Sequence, residues 1–83
     1  MKKPPNYSKQ AAKVINGLDK PTKQRIKKAI TKIPKGDIKT LQGYSDGRKR
    51  LRVGKFRVIF LLEGEDLDII DIGSRGDIYK GDD

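Results

Sequence analysis

The chain has 83 residues, a formal net charge of +9 and no cysteine or histidine. One domain is expected at this length, with a small core and neither disulfide nor thiolate metal site to support it. Without histidine, the usual proton carrier at neutral pH and the commonest metal ligand are both missing.

The N-terminal Met1-Lys2-Lys3-Pro4-Pro5 is basic but leads into no apolar run, so neither a signal segment nor a membrane span is expected. Tyr7-Ser8 precedes Ala11, Ala12, Val14, Ile15 and Leu18, spaced three and four apart. That spacing is one face of a helix, with Ser8 as N-cap and Gly17 near its end. Asp19-Lys20-Pro21 restarts a helix, with proline in the first turn, where its missing N–H costs little. Ile26, Ala29, Ile30 and Ile33 form its apolar stripe; Lys23, Arg25, Lys27, Lys28 and Lys32 lie opposite, and Pro34 and Gly36 end it. The two segments read as a helix hairpin.

From Lys39 onward the period changes to two. A two-residue loop at Gly54-Lys55, glycine first as a type II′ turn wants, sets Val53 opposite Phe56, Leu51 opposite Val58 and Lys49 opposite Phe60. Leu51, Val53, Phe56, Val58 and Phe60 then share a core side. Arg48, Arg50, Arg52 and Arg57 share the other, and a one-residue slip would scatter both sets. A second turn at Glu63-Gly64-Glu65-Asp66 leads into Leu67–Ile72. Ile69-Ile70, apolar on both sides, has the pattern of a central strand, and Gly73-Ser74 breaks it. The expected fold is α+β, one domain over residues 1–83: an N-terminal helix hairpin packed on a small antiparallel β-sheet.

The charge excess implies a polyanionic partner: nucleic acid, an acidic protein or an anionic membrane. Arginine stays charged and grips phosphate through paired N–H groups, so four on one sheet face point to phosphate; the plain alternative is a solvated face. Arg75 and Tyr79 follow the last strand, where a loop returning over the sheet would bring a cation and a stacking ring to the same face. The carboxylates Glu63, Glu65, Asp66 and Asp68 read as turn formers rather than a metal site, and Ser74 has no histidine to activate it.

Leu18-Asp19-Lys20-Pro21-Thr22, Leu41-Gln42-Gly43-Tyr44, the run from Arg50 to Phe60 and the tail from Ile72 to Tyr79 together resemble the RelE/ParE superfamily of bacterial type II toxins, on the RelE side. The order and spacing of these stretches carry the resemblance over nearly the whole chain after Tyr7. It implies a cytoplasmic toxin held inactive by an antitoxin that is acidic where it makes contact. The implied toxin enters the ribosome and cuts mRNA in the A site. The implied chemistry needs no metal or cofactor: the RNA's 2′-OH attacks the adjacent phosphate, leaving a 2′,3′-cyclic phosphate and a 5′-OH.

Carried over residue by residue, the resemblance makes Arg48, Arg50, Arg57, Arg75 and Tyr79 the catalytic set, with Arg52, Lys49 and Lys55 as RNA contacts. Arg48 stands where relatives carry the lysine proposed as general base. A guanidinium stays protonated near neutral pH, which leaves Arg48 to hold the phosphate while Tyr79, Lys49 or Lys55 handles the proton. Ser74 stands where many relatives have histidine, and Pro4-Pro5 is poorly suited to the family's opening strand, which is expected to be short or absent. Two other readings stay open: a ParE-like DNA gyrase inhibitor and a catalytically silent RNA-binding module.

Overall fold

The computed structural model describes residues 4–74. Along the chain run β1 (Asn6–Tyr7), α1 (Lys9–Asn16), α2 (Lys20–Thr31), β2 (Asp37–Thr40), β3 (Lys49–Val53), β4 (Phe56–Glu63) and β5 (Asp66–Ser74). The strands form one sheet in the order β1-β5-β4-β3-β2. Among the described residues no helix is long and apolar enough to cross a membrane.

Both helices begin where a side chain satisfies the free N–H groups of the first turn. Ser8 Oγ accepts from the Ala11 N–H at 3.0 Å and donates to the Ile70 carbonyl at 2.6 Å, so one hydroxyl starts α1 and fastens it to β5. The Asp19 carboxylate accepts from the Thr22 N–H at 3.4 Å. That contact holds the Asp19 carboxyl below its ordinary pKa. Pro21 sits in the first turn of α2, as expected.

The β3–β4 hairpin has the expected register, with Val53 opposite Phe56, Leu51 opposite Val58 and Lys49 opposite Phe60. Gly54 has φ +61°, and no residue other than glycine takes a positive φ among the described residues. The first turn position is therefore left-handed and Lys55 is not, which matches a type II′ turn. Gly36, just after α2, combines φ +125° with a close approach: a Cβ there would lie 3.0 Å from Leu51 Cδ1. Only glycine fits this crossing of chain and core.

Two expectations are corrected. The sheet is mixed rather than wholly antiparallel, because β1 exists and pairs parallel with β5, Asn6 with Asp68 and Tyr7 with Ile69. Pro4 and Pro5 offer no N–H to a ladder, which confines that pairing to two residues. The Ile69-Ile70 stretch lies, as expected, in an interior strand, since β5 pairs with β1 on one side and β4 on the other. Phe60 pairs with Ile69 and Ile59 with Asp71, so Ile70 is the extra residue of a bulge, and that is why two isoleucines stand in succession. Gly73-Ser74 does not break β5: the strand runs through Ser74, with Gly73 opposite Arg57.

Both helices cover one face of the sheet. Ala11, Ile15, Ile26, Ile30 and Ile33 pack on Leu51, Val53, Val58, Phe60, Leu67, Ile69 and Ile72. Each fully buried large side chain contributes about 1.5–3 kcal/mol from removing apolar surface from water. This one-sided core fixes which strand positions face outward, and those positions build the site.

Candidate functional site

Strand alternation places Asp37 and Lys39 of β2, Arg50 and Arg52 of β3, Arg57 and Ile59 of β4 and Gly73 of β5 on the face away from the helices. The ladder aligns them in two rows. One runs Asp37, Arg52, Arg57, Gly73; in the other, Lys39, Arg50, Ile59 and Asp71 are successive partners. Three of the four expected arginines thus adjoin one another on one surface. Gly73 puts no side chain beside Arg57 at the end of its row.

Asp37 is an anion placed among them. Its Oδ1 lies 3.7 Å from Arg50 Nη1 and its Oδ2 3.9 Å from Arg52 Nε. Its carbonyl accepts from Arg50 Nη1 at 3.4 Å. One carboxylate shared loosely by two guanidinium groups relieves their repulsion without cancelling their charge. Sequence reasoning missed Asp37 because it begins the strand at Lys39. The signal lies in Ile38, which packs on the core and carries the period of two back one step further.

The face is drier than a solvated surface. Arg50 is 4% and Arg57 7% exposed, and Ile59 beside them is 4% exposed, whereas Arg52 remains open to solvent. The plain alternative of a solvated face therefore does not describe Arg50 and Arg57. A guanidinium away from bulk water attracts an anion more strongly than one in it, because the local dielectric is lower.

Arg48 is not on this strand face. It precedes β3 and is pinned to Asp46: Nε donates to both carboxylate oxygens at 3.1 Å and Nη2 to Oδ2 at 2.6 Å. That contact holds the Asp46 carboxyl below and the Arg48 guanidinium above their ordinary pKa values. The Arg48 guanidinium carbon also lies 4.4 Å from the centroid of the Tyr44 ring. Lys49 alternates with Arg50 and so takes the side of Leu51 and Val53, away from the arginines. Lys55 is exposed at the hairpin tip, its Nζ 5.9 Å from the Phe56 ring centroid. Arg25 of α2 reaches the same tip, since a Cβ on Gly54 would lie 3.3 Å from its Nη1. Arg75 and Tyr79 lie outside the described residues.

A cleft of about 320 Å³ lies between α1 and the adjoining ends of β4 and β5, with Gln10, Val14, Phe56, Asp71 and Gly73 in its lining. Asp71 accepts there from Gln10 Nε2 at 3.0 Å and from the Ile72 N–H at 2.9 Å. Burial nevertheless pushes the Asp71 carboxyl above its ordinary pKa.

No family model and no curated protein matches the chain. Solved structures do. The RelB-RelE antitoxin-toxin complex from Methanococcus jannaschii aligns over 89% of this chain and 94% of the matched one, with 25% identity and a TM-score of 0.71. The archaeal RelE-RelB complex from Pyrococcus horikoshii aligns over 93% and 99%, with 25% identity and a TM-score of 0.70. A conserved hypothetical protein from Helicobacter pylori shares the fold at 17% identity and a TM-score of 0.62. The fold is α+β and RelE-like, and in sequence pattern and architecture the chain is similar to the RelE toxins.

Proposed function

We propose that the protein is the toxin of a type II toxin–antitoxin pair: a cytoplasmic, ribosome-dependent endoribonuclease that cleaves mRNA in the A site. The observation that carries the reading is the row of Arg52 and Arg57 with Arg50 beside them, on the face of a RelE-like sheet that lies away from the helices.

The nucleophile belongs to the RNA. Its 2′-oxygen bonds to the adjacent phosphorus, the bond from phosphorus to the 5′-oxygen breaks, and the 5′-oxygen leaves with a proton as a hydroxyl. The product upstream ends in a 2′,3′-cyclic phosphate. A protein serving this reaction positions the phosphate in line and neutralises the charge that builds on its oxygens. Arg57 and Arg50 are suited to the second task, being fixed charges in a partly dry setting. Arg52, more exposed, meets the incoming backbone. Arg75 and Tyr79 carry the tail's share, the proton of the leaving group and the orientation of the base. Because Arg48 is committed to Asp46 and Lys49 faces the helices, the proton of the attacking hydroxyl is left to Tyr79 or Lys55, either of which accepts it only in its deprotonated form.

The antitoxin is proposed to present acidic groups to the arginine face. Bound there, it excludes RNA and stabilises the fold by mass action.

The test adds purified protein to translating ribosomes and maps the messenger ends. Wild type is expected to leave A-site breaks with 2′,3′-cyclic phosphate ends, and Arg57→Ala to slow cleavage by about 10²–10³, the range for removing one transition-state donor. Intact messenger with wild type, together with inhibited DNA supercoiling, would move the protein to the gyrase-inhibitor reading.

A further inference from the structure

The loop between β2 and β3 carries a feature that the arginine face does not require. Tyr44 is the one large hydrophobic side chain that is exposed among the described residues, at 41%. Its ring is not loose on the surface. The Arg48 guanidinium lies against one ring face, 4.4 Å from the centroid. Asp46 grips that guanidinium through three contacts and also accepts from the Arg48 N–H at 3.2 Å. The neck of the loop is closed by the Leu41 N–H, which donates to the Arg48 carbonyl at 3.1 Å, and Leu41 itself is buried. The stack of ring and guanidinium is therefore held in place before any ligand arrives.

We propose that Tyr44, backed by Arg48, is a stacking platform for one unpaired nucleobase of the RNA; the inference rests on the RNA-binding reading above. An aromatic ring with a planar cation on one face and solvent beside it is what an unstacked base packs against, and any base supplies a π-face for it. The charge around it selects the occupant. Arg48, which backs the ring, stands two residues before Arg50, so the loop that carries Tyr44 leads directly into the strand that carries Arg50 and Arg52. A base on Tyr44 would direct the adjoining backbone toward that strand. Ring and guanidinium are already ordered, so little conformational freedom is lost on binding. A ring serving only to lock the loop has no need of exposure, since Asp46 and the Leu41–Arg48 bond already do that.

The probe is a short single-stranded RNA carrying one 2-aminopurine, whose fluorescence falls when it stacks, walked through the sequence one position at a time. Wild type is expected to quench the probe at one position. Tyr44→Phe keeps that quenching and binds within about twofold. Tyr44→Leu loses it and binds about tenfold more weakly, as expected for one base–aromatic stack. Its salt dependence and melting temperature stay at the wild-type values, because the phosphate contacts and the loop closure remain. Position-specific quenching and full affinity in Tyr44→Leu would overturn the proposal and leave the RNA reading standing. So would a Tyr44→Leu protein whose weaker binding tracks a lowered melting temperature, which would make the ring part of the loop's own stability. If wild type itself binds no RNA, with or without ribosomes, the functional reading fails and this inference falls with it.

Discussion

The helices and the sheet carry positive charge in opposite ways. Residues 9–36 hold nine Lys and Arg against a single acid, Asp19, while residues 37–74 hold seven basic and seven acidic residues and are neutral as a whole. Nearly all of the net charge of +9 therefore lies on the helical side. The ordered arginine row lies on the neutral half. On α2, Lys27 and Lys28 are exposed, and their charges act through the long-range field that raises encounter with any polyanion. On the sheet, Arg50 and Arg57 are buried, Arg50 and Arg52 share Asp37, and the acids of the β4–β5 turn stand at the opposite end of β4 from Arg57. Composition thus reports attraction; placement reports chemistry.

The sharpest way to break this contrast keeps the charge and changes its shape. Arg57→Lys retains the positive charge but loses the planar fork that meets a phosphate through two bonds. Cleavage on ribosomes is expected to fall about tenfold, the scale of one charge-assisted hydrogen bond. An unchanged rate would mean that the sheet, like the helices, supplies only a field.

A smaller effect is expected at the carboxylate that organises the row. Asp37→Asn removes the anion shared by Arg50 and Arg52 and keeps the shape. Denaturant unfolding is expected to show a loss of about 1 kcal/mol, with the loss shrinking in high salt as the arginines' mutual repulsion is screened. A gain in stability would mean that Asp37 is not what balances these charges.

The smallest effect tests the cleft beside α1, where the charge is negative. A raised carboxyl pKa means that the folded state favours the protonated form of Asp71. Its contribution to stability is therefore greatest at acid pH. It declines as pH rises from the ordinary carboxylate value through the raised one, then levels off. Asp71→Asn cannot ionise, so its stability relative to wild type should improve over that interval, by the usual proton linkage. Equal pH dependence in the two proteins would show that burial leaves this carboxylate unaffected.

How much of this was legible in the sequence depends on how local each cause is. The hairpin register was, because Gly54 and the alternation on either side of it are neighbours in the chain and point to the same pairing. So were the helix starts, since Ser8 and Asp19 each cap an N–H three residues on. The parallel β1 was not, because its two pairs join residues 62 positions apart, secured by the Ser8–Ile70 bond. Ile70 reads as an interior-strand residue, as it is, but only its pairing partners show it to be a bulge. On the site, alternation was enough to gather Arg50, Arg52 and Arg57. Their unequal burial, the role of Asp37 and the diversion of Arg48 to Asp46 and Tyr44 depend on loop closure and cross-strand distances, which a period of two does not encode.

The central claim is that position, rather than total charge, makes the sheet face the reactive one. The most direct measurement compares two variants that lose equal charge, Arg50→Gln/Arg57→Gln and Lys27→Gln/Lys28→Gln, in single-turnover cleavage of messenger on saturating ribosomes. The account predicts that the sheet pair slows cleavage by at least about a hundredfold. The helix pair should stay within about threefold of wild type and show only a weaker salt dependence of binding. Equal losses from the two pairs would contradict it.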